Sequence, residues 1–153
     1  MFKPLSILAL ASVFSLTACG GGSTPAPERG PQPLNASTSI GKVNITVRPN
    51  EVDVGSVTLQ IPSAGKVEVT FAGDGVVSAG DRLVLAASDK SKTWGVNDGN
   101  VSLKTSGPFT HKRVYTVGAG SSTFYAVAHN YVDTAGTGVV SIYATLTAIF
   151  YPN

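Results

Sequence analysis

The sequence predicts an all-β protein whose globular part is a jelly-roll-like antiparallel β-sandwich of about eight strands. Three observations predict this fold class. Only 13% of the 153 residues are charged and 42% are hydrophobic, which suits a packed core and is unlike a disordered or nucleic-acid-binding chain. The 17 glycines and 9 prolines favour many turns over long helices. From Ile40 onward, hydrophobic and polar residues alternate with a period of two, as in a strand with one buried face.

Turn residues separate the alternating runs at intervals of about 8 to 12 residues, the spacing of an antiparallel sandwich or jelly roll. The connection between the second and third runs, residues 62–66, is short, so we expect those two runs to form a hairpin. A second tight turn is expected at Asp98-Gly99, between residues 94–96 and 101–103. The predicted strands are 43–47, 57–61, 67–71, 82–88, 101–103, 109–117, 123–132 and 139–151.

The last two runs indicate which face of each strand is buried. Because side chains alternate across a strand, Phe124 and Leu146 are expected in the core, whereas Tyr131 and Thr145 are expected on outer faces. All five tyrosines lie in the last third of the chain. One interpretation is that these rings only cover the outside of a sheet. The other is a ligand or partner face, because tyrosine combines a large apolar ring with a polar hydroxyl. The residues proposed for that face are Tyr125, His129, Tyr131, Tyr143 and Trp94.

Residues 1–18 are expected to be a cleaved leader that lies outside the fold. Lys3 precedes an apolar run at residues 5–16, which is the layout of a secretory signal peptide and is too short to span a membrane. The only cysteine, Cys19, follows Leu16-Thr17-Ala18. This segment resembles the lipobox of bacterial lipoproteins, in which the cysteine takes a diacylglycerol and the leader is cut before it. The resemblance implies that lipidated Cys19 is the first residue of the mature protein and anchors it in the bacterial cell envelope.

Residues 19–39 are expected to form a flexible tether between the anchor and a domain at residues 40–153. The segment is rich in Gly, Ser and Pro, with one acidic and one basic residue. Twenty residues of flexible coil span on the order of 25 Å, which would hold the domain off the membrane. Gly20 stands where an aspartate would resemble an inner-membrane retention signal, and this favours the outer membrane in an organism that has one. No cysteine follows the tether, so the domain must be stable without a disulfide.

A second resemblance concerns the last predicted strand. Residues 141–147 alternate small and aromatic side chains shortly before the C-terminus. In a jelly roll, this pattern is similar to the closing strand of complement- and tumour-necrosis-factor-like domains. Those domains trimerise through an aromatic sheet face, so the resemblance implies a homo-oligomer.

The sequence lacks the motifs of common catalytic and metal sites. No G-x-S-x-G elbow, dinucleotide fingerprint or P-loop occurs. His111 and His129 are not spaced as metal ligands, and both are expected to be solvated strand residues. Asp74 and Asp81 flank a loop that could bind calcium, but turn stabilisation is the commoner role of such aspartates. No metal and no cofactor are therefore predicted.

Together these patterns predict a non-enzymatic envelope lipoprotein that presents a β-sandwich for binding or assembly. The expected partners are the membrane, through the lipid on Cys19, and another envelope protein or a glycan. The compact basic cluster Lys112-Arg113 is too small to bind nucleic acid. An alternative from another class is a small periplasmic or surface hydrolase that uses His111 or His129 with a loop aspartate. Such an enzyme requires the pair within about 3 Å of each other in a cleft.

Overall fold

The computed structural model describes residues 34–47, 50–94, 99–132 and 138–153. The predicted leader, Cys19, the tether up to residue 33 and Asp98 of the predicted turn lie outside these ranges. The described residues include no helix that could cross a membrane. They form eight antiparallel strands, as the alternating pattern predicts. The strands are β1 (Leu34–Thr46), β2 (Val52–Ile61), β3 (Gly65–Val76), β4 (Asp81–Ser88), β5 (Val101–Leu103), β6 (Gly107–Val117), β7 (Gly120–Val132) and β8 (Val139–Pro152).

Each strand pairs with its counterpart from the other end of the domain. β1 pairs with β8, β2 with β7, β3 with β6 and β4 with β5, so the chain follows the path of one long hairpin. The hairpin is rolled up so that β3 also pairs with β8, and β4 with β7. The result is two four-stranded sheets: sheet A has the order β1-β8-β3-β6, and sheet B has the order β2-β7-β4-β5. This is the arrangement of a jelly roll, and it confirms the predicted fold class.

Two details of the sequence prediction are wrong. β2 and β3 do not form a hairpin, because they lie in different sheets and the turn between them crosses the sandwich. The first strand begins at Leu34, so residues 34–39 belong to the domain and not to the tether. Their Ser- and Thr-rich composition is typical of a linker, yet they pair residue by residue with the end of β8. Pairing with a distant strand therefore overrides the local composition.

The core lies between the two sheets and contains the side chains predicted to face inward. Leu146 has no exposed surface and Phe124 is 2% exposed, whereas Thr145 is exposed on the outer face of sheet A. Phe71 on β3 packs edge-on against Phe109 on β6, with ring centroids 5.0 Å apart. The predicted faces of β7 and β8 are thus confirmed at these positions.

The four edge strands carry features that oppose pairing with the edge of another sheet. β1 shifts register between Ile40 and Val43, and β2 has a similar shift at Val54, as expected for β-bulges. β5 is only three residues long. β6 carries the adjacent basic residues Lys112-Arg113. Bulges, very short strands and charged side chains each make a sheet edge a poor template for a new strand.

We expect Leu146→Ala to lower the free energy of unfolding by about 2 to 5 kcal/mol, because it removes fully buried methyl groups and leaves a cavity. Thr145→Ala, the neighbouring position on the outer face, should lower it by less than about 1 kcal/mol. Urea denaturation followed by circular dichroism measures both values. Equal losses at the two positions would contradict the observed faces of β8.

Candidate functional site

The structure divides the predicted partner face between the two sheets. Tyr125, His129 and Tyr131 lie on β7, and Trp94, in the segment that follows β4, lies beside His129. Tyr143 lies on β8 and is exposed on the outer face of sheet A. A single face shared by all five residues requires β7 and β8 to be neighbours in one sheet, but they belong to different sheets. Tyr143 therefore does not share a surface with the other four residues.

Trp94, His129, Tyr131 and Arg82 form a group on the outer face of sheet B, which we call the aromatic cluster. The ring centroids of Trp94 and His129 are 6.3 Å apart, and those of His129 and Tyr131 are 3.9 Å apart. The guanidinium carbon of Arg82 lies 4.8 Å from the centre of the Tyr131 ring, within the range of a cation–π interaction. Arg82 and Tyr131 meet because they are directly opposite each other in the pairing of β4 with β7.

The members of the aromatic cluster differ in exposure. His129 is only 6% exposed, so the expectation that it is a solvated histidine is wrong. Val84 lies opposite it in the register, and the two neighbouring rings pack beside it. Trp94, Tyr131 and Arg82 are half-buried and each presents part of its side chain to solvent. The surface that a partner would meet is therefore formed by two aromatic side chains and one guanidinium.

Asp53 links the segment that carries Trp94 to β2. One oxygen of its carboxylate accepts a hydrogen bond from the Ser91 hydroxyl at 2.6 Å, and the other accepts one from the backbone N–H of Lys92 at 2.7 Å. Lys92 adopts a left-handed backbone conformation with φ of 55°, which is uncommon for a residue other than glycine. The bond to its N–H helps to hold this conformation. The path of the chain toward Trp94 thus depends on a carboxylate from a different strand.

The sequence pattern does not predict a role for Arg82 or Asp53. Arg82 stands at the start of an apolar run, and its meeting with Tyr131 depends on the register between two distant strands. Asp53 lies at the β-bulge of β2, where the alternation of polar and apolar residues is interrupted. The one local indication that Arg82 is exposed on this face is its position in the alternation of β4, which directs its side chain outward.

His111 is buried because it completes the edge of β4. Its Nδ1 accepts a hydrogen bond from the backbone N–H of Ala87 at 2.9 Å, and the Tyr115 hydroxyl donates to the carbonyl oxygen of Ala87 at 3.1 Å. β5 pairs only with residues 83–85 of β4, so Ala87 lies beyond the end of its neighbouring strand. The expectation that His111 is solvated is therefore wrong. While Nδ1 accepts this bond, that nitrogen cannot act as a general base.

The aspartates considered for calcium are placed differently. Asp81 is 3% exposed, and its Oδ1 accepts hydrogen bonds from Asn130 Nδ2 at 3.4 Å and from the backbone N–H of Gly138 at 3.2 Å. Asp81 thus connects the beginnings of β4 and β8. Asp74 is exposed on the outer face of sheet A. Across the described ranges, no three His, Cys, Asp or Glu side chains are grouped closely enough to hold a metal ion.

Two cavities lie away from the aromatic cluster. The first, of about 300 Å³, has Asp89, Tyr115 and Phe124 in its lining and lies beyond the end of β4. The second, of about 260 Å³, lies between the edge strands β1 and β2. Pockets for small-molecule ligands usually measure about 300 to 1,000 Å³, so both are at or below the lower limit. Neither has a member of the aromatic cluster in its lining.

Comparison of the sequence with models of protein families and with curated proteins finds no match in either case. The function of this chain is therefore inferred from its motifs and from the geometry of its surfaces.

We expect Asp53→Ala to shift the fluorescence emission of Trp94 to longer wavelength and to increase its quenching by acrylamide. The substitution removes the acceptors for Ser91 and Lys92, so the segment that carries Trp94 loses its link to β2. Trp94 is the only tryptophan, and the signal therefore reports this site alone. Asp74→Ala, on the other sheet, is the matched control and should leave the spectrum unchanged. An unchanged spectrum of folded Asp53→Ala would show that Asp53 does not position Trp94.

Proposed function

We propose that this protein is a lipid-anchored lipoprotein of the bacterial envelope whose non-catalytic β-sandwich binds another envelope protein through the aromatic cluster. The observation that carries the binding role is the half-buried group of Trp94, Tyr131 and Arg82 on one outer sheet face. Tryptophan, tyrosine and arginine are the residue types most enriched among the side chains that dominate binding energy in protein interfaces. Their mutual packing also reduces the conformational entropy that would be lost on binding.

A protein partner fits this surface better than a glycan does. Stacking on a sugar requires an open ring face, and Tyr131 packs against both Arg82 and His129. Neither of the two cavities described above has a member of the cluster in its lining. A half-buried group on a sheet face is suited to contact with another folded surface.

The membrane anchor in this proposal rests on the leader and on Cys19. The lipobox-like segment ends at the sole cysteine of the chain. Two or more acyl chains on that residue would give stable attachment, whereas one chain gives only marginal binding. Because β1 begins at Leu34, the tether comprises residues 20–33 and would span about 20 Å as a flexible coil. Gly20 favours the outer membrane as the site of attachment.

We expect Cys19→Ser to abolish acylation and retention by the membrane fraction while leaving the domain folded. Cys19 precedes Leu34, the first residue of β1, by the whole length of the proposed tether, so we expect its replacement to leave the strands of the domain intact. Metabolic labelling with radioactive palmitate, followed by cell fractionation, measures the effect. Ser23→Ala, within the same tether, is the control and should keep both the label and the membrane location. Lipid incorporation that persists in Cys19→Ser would refute the anchor.

The partner face can be tested in cells with the full chain. We expect a photo-reactive benzoylphenylalanine in place of Tyr131 to give a discrete cross-linked protein adduct, and the same residue in place of the exposed turn residue Ser63 to give none. Adding Arg82→Ala should reduce the adduct about tenfold, the effect of losing one energetically important interface side chain. The thermal melting temperature should change little, because Arg82 is only half-buried.

Two results would contradict a protein partner at this face. The first is an equal yield of adduct from the positions of Tyr131 and Ser63. The second is an adduct at Tyr131 that a muramidase degrades and a protease does not, which would assign the face to a glycan.

A further inference from the structure

The outer face of sheet A has more exposed apolar side chains than the outer face of sheet B. Eight large hydrophobic residues are exposed in the described ranges, and five of them lie on this face. The outer face of sheet B, in contrast, has its apolar residues Val84, Ala86 and Val127 buried. Exposed apolar side chains on a sheet face favour contact with another surface when charged groups of that face are also matched. The five residues are Val76, Val114, Val139, Tyr143 and Tyr151.

Two pairs of exposed side chains on β3 and β8 lie at equal distances on either side of the middle of this face. β3 and β8 pair in an unbroken register, in which Lys66 lies opposite Tyr151 and Asp74 lies opposite Tyr143. Thr70 and Thr147 lie opposite each other, halfway between these two ends. Each end therefore combines one exposed tyrosine with one charged side chain, and the two charges have opposite signs.

We propose that this face binds a second copy of the same chain, related by a two-fold axis at the Thr70–Thr147 pair. This axis lies in the plane of contact and runs perpendicular to the strands. Each residue then lies opposite a residue of the same strand in the other copy, at the same distance from the axis but on its other side. Lys66 then faces Asp74 of the second copy, and Tyr151 faces Tyr143 of the second copy. The contact is isologous and closed, so it stops at a dimer.

The side chains in the middle of the face are small enough for the sheets of the two copies to approach each other closely. Thr70, Ala72, Thr145 and Thr147 have small side chains and project from the two central strands. Lys112 on β6 shares the row of Thr70 and would meet its own symmetry mate. Its Nζ already pairs with Glu68 Oε1 at 2.9 Å, which neutralises this charge within each copy. The row on the axis is thus free of uncompensated repulsion.

The face also has the area that a stable dimer needs. β3 is 12 residues long and would extend about 40 Å, and four strands about 4.8 Å apart give a width of about 19 Å. The face therefore measures roughly 760 Å², and contact between two copies would bury roughly 1,500 Å² in total. Specific, stable interfaces bury about 1,200 to 2,000 Å².

Cross-linking in cells tests the proposal on the full chain. Stacked sheets lie about 10 Å apart, which is beyond the reach of a disulfide, so the reagent is a short bis-maleimide. We expect Thr147→Cys, on the axis, to give a covalent dimer. The controls are Thr58→Cys, exposed on sheet B, and the unaltered chain, which has Cys19 alone; both should stay monomeric. An equal yield of dimer from Thr58→Cys would overturn the proposal.

Exchange of charges tests the symmetry itself. In the Thr147→Cys chain, either Lys66→Asp or Asp74→Lys should lower the dimer yield at least about tenfold, because each places like charges opposite each other twice. The double exchange should restore the yield. The two-fold contact would be refuted if the double exchange did not restore the dimer yield. It would also be refuted if Thr147→Cys formed cross-links only to other proteins. Arg82→Ala should leave the yield unchanged, so this result and the test of the aromatic cluster can fail independently.

Discussion

The pairing of β8 with both β1 and β3 is the constraint on which the rest of the molecule depends. β8 is the last strand of the chain, yet it lies in the interior of sheet A, with hydrogen bonds along both of its edges. β7 has the same position between β2 and β4 in sheet B. Neither sheet can therefore be completed before the C-terminal third of the chain is present. Domains dominated by such distant pairings fold slowly compared with those built from local contacts.

This constraint also explains which parts of the fold the sequence predicts. Alternation of polar and apolar residues is local, so the buried faces of β7 and β8 follow from the sequence at Phe124, Leu146 and Thr145. The choice of partner strand is not local. A short connection predicts a hairpin of β2 and β3, but in a rolled hairpin the same connection passes from one sheet to the other. Residues 34–39 are a strand for a related reason, because β8 supplies their partner.

The candidate site was predicted less completely because distant segments determine its burial. His111 is buried because β5 is too short to cover Ala87, and side chains of β6 take the place of the missing strand. His129 is buried beside Trp94, whose segment is linked to β2 by Asp53. Alternation does place His111 on the same face of β6 as the buried Phe109, but no pattern within β7 distinguishes His129 from a solvated histidine. The structure does bring the rings of Trp94, His129 and Tyr131 together, and two of these residues share one face of a single strand.

The features of the edges and faces limit how two such domains can associate. Edge-to-edge pairing is disfavoured at all four edges, by the bulges of β1 and β2, by the short length of β5 and by the basic pair on β6. On sheet B, the apolar side chains of the outer face are already buried. These features are consistent with the proposal that like domains associate through the outer face of sheet A.

A two-fold dimer through that face is compatible with two anchors in one membrane. Leu34, where the tether ends, pairs with Phe150, three positions from Thr147 on the proposed axis. At about 3.3 Å per residue, each tether would begin about 10 Å from the axis, on opposite sides of it. The two starting points would therefore lie about 20 Å apart along the strands, and each tether of residues 20–33 reaches about as far. Both lipids could enter the same leaflet with the face-to-face contact intact, so membrane attachment would concentrate the two copies and favour their association.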